Sequence, residues 1–263
     1  MGSACEIKTN IEGERENNEV SNRIVVCLGK GGQRDMAESF ARKTGASIVD
    51  KPGEYLTIHF DAKGVSLSGF GLTYQGDFVE TMMHRVTNGR LQHEMLVKAA
   101  KSEKEGRKAI DATAGMGEDA FLLAAQGYEV TLYEQNPVIA ALLKDAIRRA
   151  KKNQILKDIA GRMKVVEADS VECMSKLLDP VDVIYLDPMF PARQKSSLIN
   201  KKLQLIQKLE PPCSEETDLF DAALKVCPSR IIVKRPLKSE CLAGREPSYT
   251  LKGKAIRYDC YVL

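Results

Sequence analysis

The chain has 263 residues, enough for one large domain or one domain with a small appendage. With 43% hydrophobic and 29% charged residues its composition is globular and excludes wholesale disorder, a collagen-like repeat and a coiled-coil rod. A balance of 39 basic against 36 acidic residues, net +3, is too mild to establish a nucleic-acid partner by itself, and no apolar run approaches the ~18–20 residues of a membrane span.

The N-terminus lacks a basic segment followed by an apolar stretch, so the chain is expected to be soluble, cytoplasmic and without a membrane partner. Its seven cysteines include no C-x-x-C pair and are odd in number, which predicts reduced thiols and no structural metal site.

In chain order, residues 1–22 carry five glutamates and few apolar residues beyond Ile7, Ile11 and Val20, so a disordered tail is expected there. Residues 23–72 read as a small α/β subdomain. It comprises strand Ile24–Leu28, helix Gln33–Lys43, strand Ala46–Val49, and a hairpin of Tyr55–Phe60 and Val65–Leu67 about the turn Asp61-Ala62-Lys63-Gly64. Residues 73–263 are expected to form the main domain, opening with Met82-Met83-His84-Arg85 and a helix-like run from Leu91 to Lys101. Apolar strands then alternate with amphipathic helices: strand Ala109-Ile110, helix 118–126, strand Glu129–Tyr133, helix 137–151, and strands Lys164–Glu167 and Val181–Leu186. After a basic segment come helix 215–226, strand Arg230–Val233, and a closing pair, Ser248–Leu251 and Ile256–Val262. That rhythm predicts a doubly wound α/β fold with parallel strands joined by helical crossovers.

Chemistry concentrates at the strand ends, where such sheets bind their ligands. The string Asp111-Ala112-Thr113-Ala114-Gly115-Met116-Gly117-Glu118-Asp119 follows a strand and opens a helix, so Gly115 and Gly117 let a ligand approach the backbone beside free helix N–H groups. Nineteen residues beyond Gly115, the next strand ends in Glu134, an acceptor suited to a ribose diol. The glycine pattern also satisfies the dinucleotide fingerprint, which keeps a nicotinamide-dependent oxidoreductase open. Two details favour S-adenosylmethionine: Asp111 can hold a cationic amino-acid moiety, and Glu118 and Asp119 would repel a pyrophosphate. Asp169 and Ser170 follow a third strand and can bond the amino face of an adenine, or simply cap a helix.

The string Tyr185-Leu186-Asp187-Pro188-Met189-Phe190-Pro191 ends the fourth strand. An Asp-Pro-x-Phe terminus suits transfer to a planar exocyclic amine: Asp187 and the Pro188 carbonyl accept amino hydrogens, and Phe190 stacks on the base. Downstream, residues 193–208 include Arg193 and Lys195 and no acidic residue, and Lys234-Arg235-Pro236 ends the neighbouring strand. These read as a phosphate-binding rim, or as a solvated charged face. His84 and Arg85 face the cofactor or RNA, or His84 packs in the core.

From about Phe78 to the C-terminus the chain resembles the bacterial 16S ribosomal RNA (guanine-N2)-methyltransferases of the small-subunit methyltransferase J family. The resemblance runs through His84-Arg85, Asp111–Gly115, Asp119-Ala120-Phe121, Asn136-Pro137-Val138, Tyr185–Pro191, Gln194-Lys195-Ser196 and Val233–Pro236. It implies a Rossmann-like class I methyltransferase sheet, which the small N-terminal α/β subdomain read from patterning precedes. The implied cofactor is S-adenosylmethionine, held by Glu118, Asp119, Glu134, Gln135, Asp169, Ser170 and Asp187. The implied substrate is one guanine of 16S ribosomal RNA or the small ribosomal subunit. An amino-methyltransferase acting on adenine or cytosine in DNA shares the same strand-end logic.

Overall fold

The computed structural model describes residues 24–53, 55–102, 104, 106–188, 205, 209 and 216–263. The expected tail (1–22), Phe190, Arg193, Lys195 and nearly all of the basic segment 193–208 lie outside the described residues. Two compact units emerge, one drawn from Met1–Gln75 and Leu198–Gln207, the other from Gly76–Ser197 and Lys208–Leu263.

The first unit holds β1 (Ile24–Leu28), α1 (Arg34–Thr44), β2 (Ser47–Val49), β3 (Leu56–Asp61), β4 (Gly64–Gly69) and β5 (Leu72–Tyr74), with sheet order β2-β1-β3-β4-β5. β1 lies parallel to both neighbours, and the remaining pairs are antiparallel. Val26, Ile58 and Leu67 are fully buried, so alternate positions of three strands build this core. Sequence patterning ends the unit near Leu72. The chain instead turns through the left-handed residues Phe70 and Gly71 and adds β5, which is too short for alternation to announce it.

The second unit opens with α2 (Phe78–Thr87), capped by the Asp77 carboxylate, which accepts the N–H groups of Val79 at 2.8 Å and Glu80 at 3.3 Å. The single helix expected over Leu91–Lys101 is broken: a 3-10 turn (Arg90–His93) and α3 (Met95–Ala99) flank an extended Glu94. Burial of Leu96, Val97, Ala99 and Ala100 in the core accounts for the change of direction.

Then follow β6 (Lys108–Asp111), α4 (Glu118–Ala125), β7 (Glu129–Tyr133), α5 (Pro137–Ala150), α6 (Lys157–Gly161), β8 (Met163–Val166), α7 (Ser170–Ser175), β9 (Val183–Leu186), α8 (Glu216–Lys225), β10 (Arg230–Pro236), β11 (Tyr249–Lys252) and β12 (Ile256–Val262). The sheet order is β11-β12-β10-β9-β6-β7-β8. Its five strands from β8 to β10 run parallel, and β12 is antiparallel to its neighbours. β9 lies beside β6 although β7 and β8 intervene in the chain, so the connections leaving β6 and β9 diverge and open a crevice at their carboxyl ends.

The period of two along the strands divides the core between the sheet's faces. Val183, Tyr185 and Ile232 pack with Phe78, Phe121 and Leu132, whereas Ile184, Leu186, Ile231 and Val233 pack with Phe220 and Leu219. Among the described residues no helix is long and apolar enough to cross a membrane, and no group of three or more His, Cys, Asp or Glu side chains could hold a metal ion.

Candidate active site

β6 delivers Asp111 to the crevice with 1% of its surface exposed. Its Oδ1 accepts the Thr113 N–H at 3.1 Å. Burial, reinforced by repulsion from Asp119, outweighs that bond and pushes the Asp111 carboxyl up to about 8. The loop beyond it is pinned to both neighbouring strands: the Ala112 N–H donates to the Tyr185 carbonyl at 3.0 Å, and the Ala114 N–H to the Tyr133 carbonyl at 3.2 Å.

The two glycines of this loop serve different ends. Both are left-handed, with φ of 49° at Gly115 and 76° at Gly117. A Cβ on Gly117 would lie 2.6 Å from Leu143 Cδ1, so close packing excludes a side chain there. A Cβ on Gly115 would meet nothing nearer than the Thr113 carbonyl at 4.0 Å. Gly115 therefore borders open space beside the start of α4, the shape required for backbone to meet a ligand.

Glu134, 5% exposed at the end of β7, joins two loops: Oε2 accepts the Gly115 N–H at 3.1 Å and Oε1 the Asn136 N–H at 2.7 Å. Asn136 in turn caps α5, accepting the Val138 and Ile139 N–H groups at 3.0 and 3.3 Å. Gln135 and Glu118 are exposed. Partial desolvation by the surrounding protein still raises the Glu118 carboxyl, with Arg85 opposing.

Asp187 follows β9 directly. Its N–H donates to Thr113 Oγ1 at 2.7 Å, which ties the β9 terminus to the loop after β6. Lys234, from β10, places Nζ 2.9 Å from Asp187 Oδ2 and 2.8 Å from Asp119 Oδ2, and the Tyr185 hydroxyl donates to that same Asp119 oxygen at 2.7 Å. Burial disfavours the Lys234 ammonium, but the two carboxylates overcome it and its affinity for the proton rises. Burial raises the Asp187 carboxyl, against the pull of Lys234.

Of the residues singled out in the sequence, the sheet gathers Asp111, Gly115, Gly117, Asp119, Glu134 and Asp187 around the ends of β6, β7 and β9, with Pro188 buried next to Asp187. Asp169 is exposed and caps α7 by accepting the Glu172 N–H at 3.0 Å; Ser170 is the first residue of that helix. His84 is exposed, bonded to Asn88 at 2.8 Å, so it does not pack in the core, and Arg85 pairs with Glu94 at 3.4 Å.

Two basic residues expected on a phosphate-facing rim point elsewhere. Lys234 turns into the carboxylate cluster. Arg235, 5% exposed, is bonded to Glu216 at 2.9 Å and to the Glu240 carbonyl at 3.0 Å. Alternation along β10 explains the pair, since neighbouring side chains leave opposite faces of the sheet. Sequence reasoning also passed over Thr113 and Tyr185, whose hydroxyls brace Asp187 and Asp119. Tyr185 stands two residues before Asp187, a spacing that places both on one side of a strand and was the available signal.

Comparison with known proteins extends this picture. The family described as "Putative SAM-dependent methyltransferase" matches residues 52–263. The ribosomal RNA small subunit methyltransferase J of Pseudomonas savastanoi pv. phaseolicola is 37% identical over 244 residues, 90% of each chain. The protein of the same name from Thioalkalivibrio sulfidiphilus is 36% identical over 249 residues, 91% of this chain and 98% of that one. Among solved structures, a SAM-dependent methyltransferase from Neisseria gonorrhoeae superposes with a TM-score of 0.69 at 29% identity, covering 90% of this chain and 96% of that one.

Proposed function

This chain belongs to the SAM-dependent methyltransferase family, and from that premise we propose that it methylates the exocyclic 2-amino group of a guanine in 16S ribosomal RNA. Its sheet is the Rossmann-like class I methyltransferase sheet, and its cofactor is S-adenosylmethionine. Family membership sets the nicotinamide-dependent alternative aside. The relatives named as small-subunit ribosomal RNA methyltransferases support RNA rather than DNA as substrate. The reading implies a cytoplasmic enzyme acting on 16S RNA or the small ribosomal subunit.

The residues present fit the cofactor. Open space over Gly115 and the buried, proton-hungry Asp111 together suit a ligand that carries positive charge and lies against backbone. Asp111, Gly115, Gly117, Glu118, Asp119, Glu134, Gln135, Asp169 and Ser170 would hold it. When bound, S-adenosylmethionine supplies a methyl group on a cationic sulfur.

The observation that carries the reading is Asp187 at the β6/β9 crevice, fixed at its N–H by Thr113 and at Oδ2 by Lys234. An exocyclic amine is conjugated with its ring and weakly nucleophilic, so orientation is the main catalytic resource. Asp187 and the Pro188 carbonyl accept its two hydrogens and aim its lone pair, with Phe190 stacking on the base. The amine proton becomes acidic only as the nitrogen–carbon bond forms, so a strong base is unnecessary. The guanine enters unpaired or flipped from its helix. Arg193 and Lys195 contact its flanking phosphates, with His84 and Arg85 of α2 as further RNA contacts.

Mass spectrometry of 16S nucleosides from a strain lacking the protein tests this. One N2-methylguanine is expected to disappear, and to return with the wild-type chain but not with Asp187→Ala. An unaltered methylguanine complement would remove the assignment, and label transferred to DNA instead would favour the DNA enzyme.

A further inference from the structure

Among the described residues, the basic side chain that pairs with Asp187 is Lys234 of β10. We propose that Lys234 is a positioning residue for methyl transfer, its ammonium bridging Asp119 and Asp187 so that the Asp187 carboxylate stays ionised and turned to receive the guanine amine. The inference rests on the methyltransferase reading and adds to it a residue whose place in the chain pointed to phosphate binding.

Geometry carries the argument. Lys234 Nζ lies 2.9 Å from Asp187 Oδ2 and 2.8 Å from Asp119 Oδ2, while the Tyr185 hydroxyl donates to that same Asp119 oxygen at 2.7 Å. Asp119 Oδ2 is thus held by the Tyr185 hydroxyl and anchors the ammonium, and the ammonium anchors Asp187. Among the described residues Lys234 is the only partner of the Asp187 side chain, and it engages Oδ2, leaving Oδ1 to accept an amine hydrogen.

The titratable groups around Asp187 are Asp111 from β6, Asp119 from α4, Tyr185 from β9 itself, Lys234 from β10 and Tyr258 from β12. Burial and the neighbouring Asp119 favour a protonated Asp187, and Lys234 opposes both. A protonated carboxyl offers one acceptor oxygen fewer and accepts the amine hydrogen more weakly, so it neither orients the amine nor leaves its nitrogen as electron-rich. Lys234, itself only a quarter exposed in its side chain, is spent on this pair rather than on solvent or phosphate.

Steady-state kinetics of Lys234→Met on 16S RNA separate the two roles. A positioning residue predicts kcat lowered about 100-fold with KM for RNA unchanged. It also predicts the acid limb of the kcat profile moved upward by about one pH unit, because Asp187 then takes up its proton more readily. Lys234→Arg, which keeps the charge, holds the limb at its wild-type position. A raised KM for RNA with a weakened salt dependence and an intact kcat would make Lys234 a phosphate contact and overturn the proposal. Carboxyl-13C NMR of the free protein, with the Asp187 signal assigned by Asp187→Asn, reads the same pair without any substrate. Asp187 is expected to titrate at higher pH in Lys234→Met, or in Lys234→Gln should the methionine variant not fold. An unmoved titration refutes the inference even if the wild-type chain proves inactive on 16S RNA, whereas that inactivity alone would refute the substrate assignment.

Discussion

Asp111 shows how a single buried carboxylate links the fold to its ligand. With its carboxyl pushed up to about 8 by burial and Asp119, a push that Lys234 only partly offsets, Asp111 is largely protonated at neutral pH. A ligand that brings positive charge binds the ionised form, so the proton must leave as the ligand arrives. Affinity for S-adenosylmethionine is therefore expected to climb as pH rises towards about 8 and to level off above it. Calorimetric titrations at several pH values check this, and Asp111→Asn should flatten the dependence. A profile equally steep in that variant would assign the proton to another group. Asp111, Glu134 and Asp187 were all legible as acidic residues closing apolar strands. What each holds was not legible, because Glu134 bonds backbone N–H groups of two loops and Asp187 takes its side-chain partner from a different strand.

At the scale of elements, the loop joining β6 to α4 separates packing from binding within three residues. Gly117→Ala forces a methyl group to within 2.6 Å of Leu143 in a left-handed backbone, and should destabilise the protein by about 1–3 kcal/mol. Gly115→Ala meets no such obstacle and should lower stability by only about 1 kcal/mol, the strain of its left-handed backbone. Its methyl group enters the open space instead, so the larger effect falls on cofactor affinity. Urea denaturation together with cofactor binding distinguishes the two; equal stability losses without any change in affinity would mean that the space over Gly115 is not where the ligand lies. Helices whose signals agree were legible: α5 has Asn136 as its cap, Pro137 at its first position and a long apolar stripe. α2 escaped notice because Val79, Thr81, Val86 and Thr87 are weak helix formers. The signal was present in Asp77 followed three residues later by Glu80, a capping pattern that local patterning did not weigh.

For the molecule as a whole, the loops after β6, β7 and β9 are stitched together by Thr113 and Glu134 within the second unit, so a ligand seated among them stabilises the native state by mass action. S-adenosylhomocysteine at 100 times its dissociation constant should add about 2.7 kcal/mol and raise the melting temperature, whereas a nicotinamide dinucleotide should leave it unchanged. A shift with the dinucleotide alone would contradict the cofactor assignment. Beyond the expectation of parallel neighbours, with the Lys234 strand next to the Asp187 strand as found, the order of strands was not available to sequence reading. Nothing local in residues 249–262 states that β12 inserts between β10 and β11.

What the amino-acid order determined by itself is every strand but β5, the helices with agreeing signals and the acidic residues waiting at the strand ends, because hydrophobic period and capping are properties of neighbours in the chain. Only the tertiary structure decided that Lys234 reaches Asp119, 115 residues away, and that Arg235 beside it turns to Glu216. Sheet pairing sets which strand ends meet and the pleat sets which side chains share a face, and both exist only once distant segments have paired.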